Sequence, residues 1–271
     1  MSAAQNALAL YFRNLHIPGQ PLVLTNVYDA ATASLIASHP STKAIATASY
    51  AIAASQGVND SNLTRSQNLA TVRSIAAALK PSDTQDSLPS FPLTVDVQDG
   101  YDDIAETIKQ LIQLGAVGCN LEDLDNRTGQ LRPLPDAIRR IKQALQTATE
   151  LGVPDFVINA RTDVLDIGVN GQRGTIEDAI ERGKAFLHAG ATTVFVWGGA
   201  GGRGVSKEEV KQLVVALEGK LNVKMVLKHG FLTVPELREI GVARISVGPE
   251  LYRAAMRSFK ETADAVLDGC I

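Results

Sequence analysis

The stretch PLTVDVQDGYDDIAETIKQLIQLGAVGCNLED (residues 92–123) decides the fold. A short apolar run, Pro92–Asp96, precedes a helical pattern over Ile104–Leu114, and a second run follows at Ala116–Leu121. Ile104, Ile108, Leu111 and Ile112 recur at helical spacing, and Gly115 supplies the stop. The flanking runs are nearly continuous in apolar character. That suits strands buried on both faces of a parallel sheet.

The same unit repeats outward in both directions. Runs at Leu22–Thr25, Ala44–Thr47, Phe156–Asn159, Thr193–Val196, Lys224–Leu227 and Arg244–Val247 bring the expected strands to eight. Helical patterns lie between them. They are Ala30–Ser38, Asn62–Leu79 (capped by Asp60 and Ser61), Ala137–Leu151, Ile176–His188, Ser206–Leu217 (opened by a Ser206/Glu209 capping box), Thr233–Ile240 and Pro249–Leu267. Alternation of this kind predicts an α/β fold, a (β/α)8 TIM-type barrel, in a single domain over residues 1–271. An open doubly wound sheet is the competing architecture. It would carry a glycine fingerprint after the first strand, where this chain has Asn26-Val-Tyr-Asp-Ala30. Pro81–Pro92 reads as a loop.

Composition narrows the function. The 271 residues are 45% hydrophobic, enough for a large core, and carry 26 basic and 29 acidic side chains for a net charge of −3. Without a basic field, neither nucleic acid nor a membrane surface is an expected partner. Cys119 and Cys270 form no disulfide framework or metal spacing, which suits a reducing compartment. The first residues show no secretory pattern, so a cytoplasmic location is expected.

In such a barrel the chemistry sits at the C-terminal ends of the strands. Ser49 and Tyr50 follow the second strand; Asp96, Gln98 and Asp99 the third; Glu122 and Asp123 the fourth. Asn159, Arg161 and Asp163 end the fifth, Trp197 and a glycine run the sixth, Lys228 and His229 the seventh. Asp96 and Glu122 lie on adjacent strands, and hard oxygen ligands with room for water suit Mg2+ or Mn2+. Arg161 is either a carboxylate clamp or the structural partner of Asp163 or Glu122. The run Gly198–Gly204 is either a phosphate cradle or a mobile loop; it has no P-loop Lys-Ser/Thr. Neither a Ser/His/Asp triad nor a Gly-x-Ser-x-Gly elbow can be assembled.

Five segments occur in register: Thr47–Asp60, Val95–Asp102, Gly115–Asp123, Ile158–Asp163 and Leu232–Gly248. Together they resemble the isocitrate lyase/phosphoenolpyruvate mutase superfamily, in its short, mutase-like branch. The resemblance implies divalent-metal chemistry on small 2-oxo or 2-hydroxy carboxylates through an enolate. It implies that Asp96 and Glu122 serve the metal, with Gln98 acting through water. Ser49 and Tyr50 would meet the substrate carboxylate, Arg161 would face the substrate, Asp60 would act near the reacting group, and Asn159 would line the pocket. A homo-oligomer, with the C-terminal helix exchanged between neighbours, is also implied.

Departures from the family pattern shape the expected activity. Gln98 stands where an acidic residue is common, and the lyase gate Lys-Lys-Cys-Gly-His is replaced by Leu124–Arg132. Trp197 occupies a position that can carry histidine and is expected to line the pocket, either narrowing it or favouring an apolar substrate tail. Lys224 replaces a frequent asparagine; pointing inward, it would hold a second carboxylate. The expected activity is a Mg2+-dependent lyase or decarboxylase. C–P chemistry on phosphonopyruvate and a silent carboxylate-binding barrel are the alternatives.

Overall fold

The computed structural model describes residues 2–81, 87–168, 171–199 and 203–270. Along the chain run α1 (Ser2–Asn14), β1 (Leu22–Leu24), β2 (Asn26–Val27), α2 (Ala30–Ala37), β3 (Ile45–Thr47), α3 (Ser49–Ser55), a 3-10 turn (Asp60–Asn62) and α4 (Arg65–Ala78). Next come β4 (Leu93–Asp96), α5 (Ile104–Gln113), β5 (Gly118–Glu122), β6 (Leu124–Asp125), β7 (Gln130–Leu131), α6 (Leu134–Glu150), β8 (Val157–Thr162) and α7 (Ile176–His188). The chain ends with β9 (Thr193–Val196), α8 (Lys207–Ala216), β10 (Leu221–Lys224), α9 (Val234–Ile240), β11 (Arg244–Ser246) and α10 (Glu250–Leu267).

Nine of these strands form one parallel sheet in the order β1-β11-β10-β9-β8-β5-β4-β3-β2. Its two ends, β1 and β2, are consecutive in sequence and separated only by Thr25, so the sheet curls into the expected barrel. Asn26 stitches this seam. Its Nδ2 donates to the Thr47 carbonyl at 2.7 Å, and its Oδ1 accepts from the N–H groups of Val247 and Gly248 at 3.0 and 2.8 Å.

The apolar face read on α5 is buried, with Ile104, Ile108 and Leu111 at most 1% exposed. Inside the barrel the layer below the mouth is polar. Thr193 Oγ1 donates to Asn159 Oδ1 (2.7 Å), Asn159 Nδ2 to Asn120 Oδ1 (2.9 Å), and Arg244 Nη2 to the same Asn120 oxygen (3.1 Å). Burial pulls the Arg244 guanidinium down to about 9.

Several expectations are corrected. The seventh strand, expected at Lys224–Leu227, is Leu221–Lys224. Met225-Val-Leu227 is as apolar as a strand, but it already belongs to the loop, so Lys224 rather than Lys228 ends the strand. The helix expected from Asn62 starts at Arg65, because a Thr64/Gln67 capping box fixes its start instead of Asp60 and Ser61. The Ser206/Glu209 box is present. Unforeseen are α1 and α3. Helix α1 covers the bottom of the barrel: Gln5 Nε2 bonds the carbonyls of Ile112 and Ala116, both at 2.9 Å, and Phe12 packs under Gly118, where a Cβ would come within 3.0 Å of the ring. The Pro81–Pro92 loop falls partly outside the described residues, at 82–86, as does the glycine run at 200–202. Among the described residues no helix is long and apolar enough to cross a membrane.

Candidate active site

Strand β3 leads into α3, which has no side-chain cap. Ser49, its first residue, donates both its main-chain N–H and its Oγ to Asp96 Oδ2, at 3.1 and 3.0 Å. A carboxylate from the neighbouring strand thus satisfies a helix N-terminus, where unpaired N–H groups favour an anion. Asp96 is further fixed through its main chain. Its N–H donates to Thr47 Oγ1 and its carbonyl accepts from Asn68 Nδ2, both at 2.9 Å.

Beyond Asp96 the chain turns through left-handed conformations at Gln98 (φ 54°), Gly100 (φ 82°) and Tyr101 (φ 62°). At Gly100 a Cβ would sit 2.6 Å from Ile104 Cδ1. The turn aims the Gln98 amide at the 3-10 turn. Its Nε2 donates to the Asp60 carbonyl at 2.7 Å and to Asp60 Oδ1 at 3.0 Å.

On β8, Arg161 realises both of its structural readings while lining the mouth. Its Nε and Nη2 bond the two Asp163 oxygens at 2.6 and 2.7 Å, and its Nη1 reaches Glu122 Oε2 at 3.0 Å. Its guanidinium also lies 4.4 Å from the Trp197 ring centroid. The hairpin β6–β7 stands where the gate was expected. Arg132 pins it, bonding Asp99 at 2.8 Å and Asp125 at 3.1 Å. Beneath it Arg182 Nε donates to Asp123 Oδ2 at 2.7 Å.

Four acids, Asp60, Asp96, Glu122 and Asp163, gather around the one guanidinium of Arg161. Burial pushes the Glu122 carboxyl well above its ordinary value against the pull of Arg161, and Asp163, Asp96 and Asp60 push it further. Burial, then Asp96, raises the Asp60 carboxyl. Burial also lifts Asp163 to about 6, opposed by Arg161. For Arg161 itself burial works downward, but Asp163 and Glu122 outweigh it and the guanidinium stays charged. With two bonds from Arg161, Asp163 is the acid that guanidinium neutralises. Glu122 and Asp60 share that same guanidinium, Glu122 through a single contact.

One cavity of about 880 Å³ gathers Ser49, Tyr50, Asp60, Asp96, Gln98, Glu122, Arg161 and Trp197. Asn159 is not in its lining but lies in the polar layer beneath, bonded to Asn120, whose residue does reach the floor. Lys228 reaches the rim and His229 does not. The sequence reading missed Asn26 and Asn126, and it missed Glu250, Arg253 and Arg257 from α10. The pair Arg253/Arg257, at i and i+4 on one helix, was the signal that could have flagged the last group. Among the described residues no three His, Cys, Asp or Glu side chains stand close enough to ligate one ion directly.

The model of the family described as phosphoenolpyruvate phosphomutase matches residues 12–267. The chain belongs to that family. The superfamily resemblance read from the five segments is thereby borne out, and the chain is an enzyme of the lyase and mutase type that makes up its named relatives. A proposed phosphonomutase of Burkholderia cenocepacia is 36% identical, with a TM-score of 0.81 over 98% of this chain and 99% of that one. Oxaloacetate acetylhydrolase in complex with the product oxalate is 26% identical, with a TM-score of 0.80 over 98% of this chain and 89% of that one. The 2-methylisocitrate lyase of Escherichia coli is 37% identical over 39% of this chain and 36% of its own length.

Proposed function

We propose that this family member is a divalent-metal-dependent lyase that cleaves a C–C bond in a small 2-oxo or 2-hydroxy carboxylic acid. One observation carries the reading: Asp96, Glu122 and Asp60 lie together in the cavity, and the cation that acts on Glu122 and Asp60, Arg161, is already bonded twice by Asp163. Mg2+ keeps several waters and takes only one or two carboxylates directly. The donor set fits that mode, with Asp96 held rigid by Ser49 and Gln98 and Glu122 acting through water; Mn2+ fits the same donors. A cation there supplies positive charge against the negative charge that develops as the bond breaks.

The protein's own groups do the rest. Arg161 and the first-turn N–H of Tyr50, among those a helix leaves without internal partners, bind the substrate carboxylate. Trp197 closes the wall beside Arg161 and excludes water. Asp60, with its raised carboxyl, is the group to hold or move a proton at the reacting carbon. The exposed apolar side chains of α10, Met256 and Phe259, support a homo-oligomer in which that helix packs on a neighbour, each subunit one barrel domain over residues 1–271. A cytoplasmic site of action fits the same reading.

The test is incubation with Mg2+ and a panel of 2-oxo and 2-hydroxy acids, followed by NMR, with oxalate as inhibitor. Cleavage of a panel member, blocked by oxalate, supports the reading. No cleavage and no oxalate-dependent rise in melting temperature overturns it. A second reading, C–P bond chemistry, is favoured by the likeness to the proposed phosphonomutase. Release of inorganic phosphate from phosphonopyruvate would select it.

A further inference from the structure

Arg244 crosses the barrel. It stands on β11, and β10, β9 and β8 separate that strand from β5, yet its Nη2 donates to Asn120 Oδ1 on β5 at 3.1 Å. The guanidinium is buried beside the Phe12 ring, 6.0 Å from its centroid, and among the described residues no carboxylate bonds it. Burying a cation without an acid is expensive. What this one does locally is fix an orientation. A guanidinium can only donate, so the Asn120 atom it meets is the amide oxygen. The second donor on that oxygen, Asn159 Nδ2 at 2.9 Å, agrees. With Oδ1 held in the polar layer by two donors, Nδ2 is the end left to the cavity. Asn120 lines the cavity floor, and among the described residues nothing accepts from its Nδ2.

The register places that donor. Asp96 pairs with Asn120 on one side and Asn159 on the other, and Glu122 and Arg161 follow two residues further along β5 and β8. The amide therefore opens between the carboxylate assigned to the cation and the guanidinium assigned to the substrate carboxylate. Resting on the lyase reading above, we infer that Asn120 is a substrate-binding residue whose Nδ2 donates to an oxygen at the reacting end of the acid, and that Arg244 is the positioning residue that keeps the amide facing that way. A fixed neutral donor gains strength as charge builds on that oxygen, without competing with the cation for Asp96. Were the amide to turn over, its oxygen would face the substrate anion and its Nδ2 would face a guanidinium that accepts nothing; both contacts would be lost together.

Calorimetric titration of oxalate in excess Mg2+ tests both roles. Asn120→Ala removes the donor. Asn120→Asp removes it too but keeps the acceptor that Arg244 and Asn159 use, so the fold survives even where the alanine variant fails. Each should bind oxalate at least about tenfold more weakly than the wild type, the value of one hydrogen bond to a charged group. Arg244→Met alone should also weaken oxalate, yet the double variant with Asn120→Ala should bind it no more weakly than the Asn120 single variants, because the group that Arg244 positions is gone. Wild-type affinity in either folded Asn120 variant overturns the donor. A double variant that suffers both losses in full overturns the positioning role. Either result leaves the lyase reading standing. Oxalate binding that depends on Asn120, with no acid of the panel cleaved, overturns the lyase reading and keeps the donor. A wild-type protein that does not bind oxalate overturns both.

Discussion

Gln98→Glu changes one atom's chemistry and nothing in reach or shape. The amide Nε2 that donates to the Asp60 carbonyl and to Oδ1 at 2.7 and 3.0 Å becomes an oxygen that can only accept when ionised. Two carboxylates about 3 Å apart repel by about 5 kcal/mol at an effective dielectric near 20. Protonating one of them is the alternative, and it costs about 1.4 kcal/mol per pH unit above its ordinary value. The variant takes the cheaper route at each pH. Its new acid has a folded pKa above the unfolded one, so the penalty is absent below about pH 4.5 and grows as pH rises. It reaches about 2 kcal/mol at pH 6 and about 5 at pH 8. At roughly 2 °C per kcal/mol for a chain of this size, the melting temperature falls by about 4 °C and about 10 °C. Differential scanning fluorimetry without metal reads this directly, and saturating Mg2+ should return most of the loss. A variant that melts with the wild type at pH 8 would refute the argument that the amide ties Asp60 to the barrel.

Other consequences are as direct. Asp96→Ala should abolish both turnover and the Mg2+-dependent rise in melting temperature; a calorimetric titration that still shows wild-type affinity would remove Asp96 from the metal site. Because Glu122 and Asp60 titrate above their ordinary values, the metal-free protein should lose stability as pH climbs through that range, and the stabilisation by Mg2+ should grow with it; melting curves from pH 5 to 8 check the trend. Arg132→Met leaves Asp99 buried without its guanidinium, while Asp125 keeps Arg127, and should cost about 3–5 kcal/mol, seen in urea unfolding.

Much of the barrel was legible because each strand is a short apolar run between helical patterns, and the residues after those runs necessarily share one end. Asp96, Glu122, Arg161 and Trp197 meet for that reason alone. The seventh strand slipped by three residues because Met225-Val-Leu227 has strand-like composition and only pairing decides between the two. Asn159 was placed at the mouth because a strand's last polar residue looks the same whether it lies in the top layer or the one below. The Gln98–Asp60 bond depends on left-handed backbone that a glutamine does not announce. Arg253 and Arg257 of α10 read as ordinary surface charge until the helix is seen to line the cavity.

The polar layer under the mouth has a consequence for how the barrel finds its alignment. A strand sliding by two residues keeps the same side chains pointing inward, and an aliphatic layer would tolerate that exchange of one branched residue for another. Asn120, Asn159 and Thr193 sit at matched levels on three adjacent strands and bond in series. Any slip of one strand strands an amide or hydroxyl without a partner in the interior, at about 1–3 kcal/mol for each group left unpaired. The amide ladder therefore acts as a key that only one alignment fits, and it sets the height at which every catalytic side chain emerges.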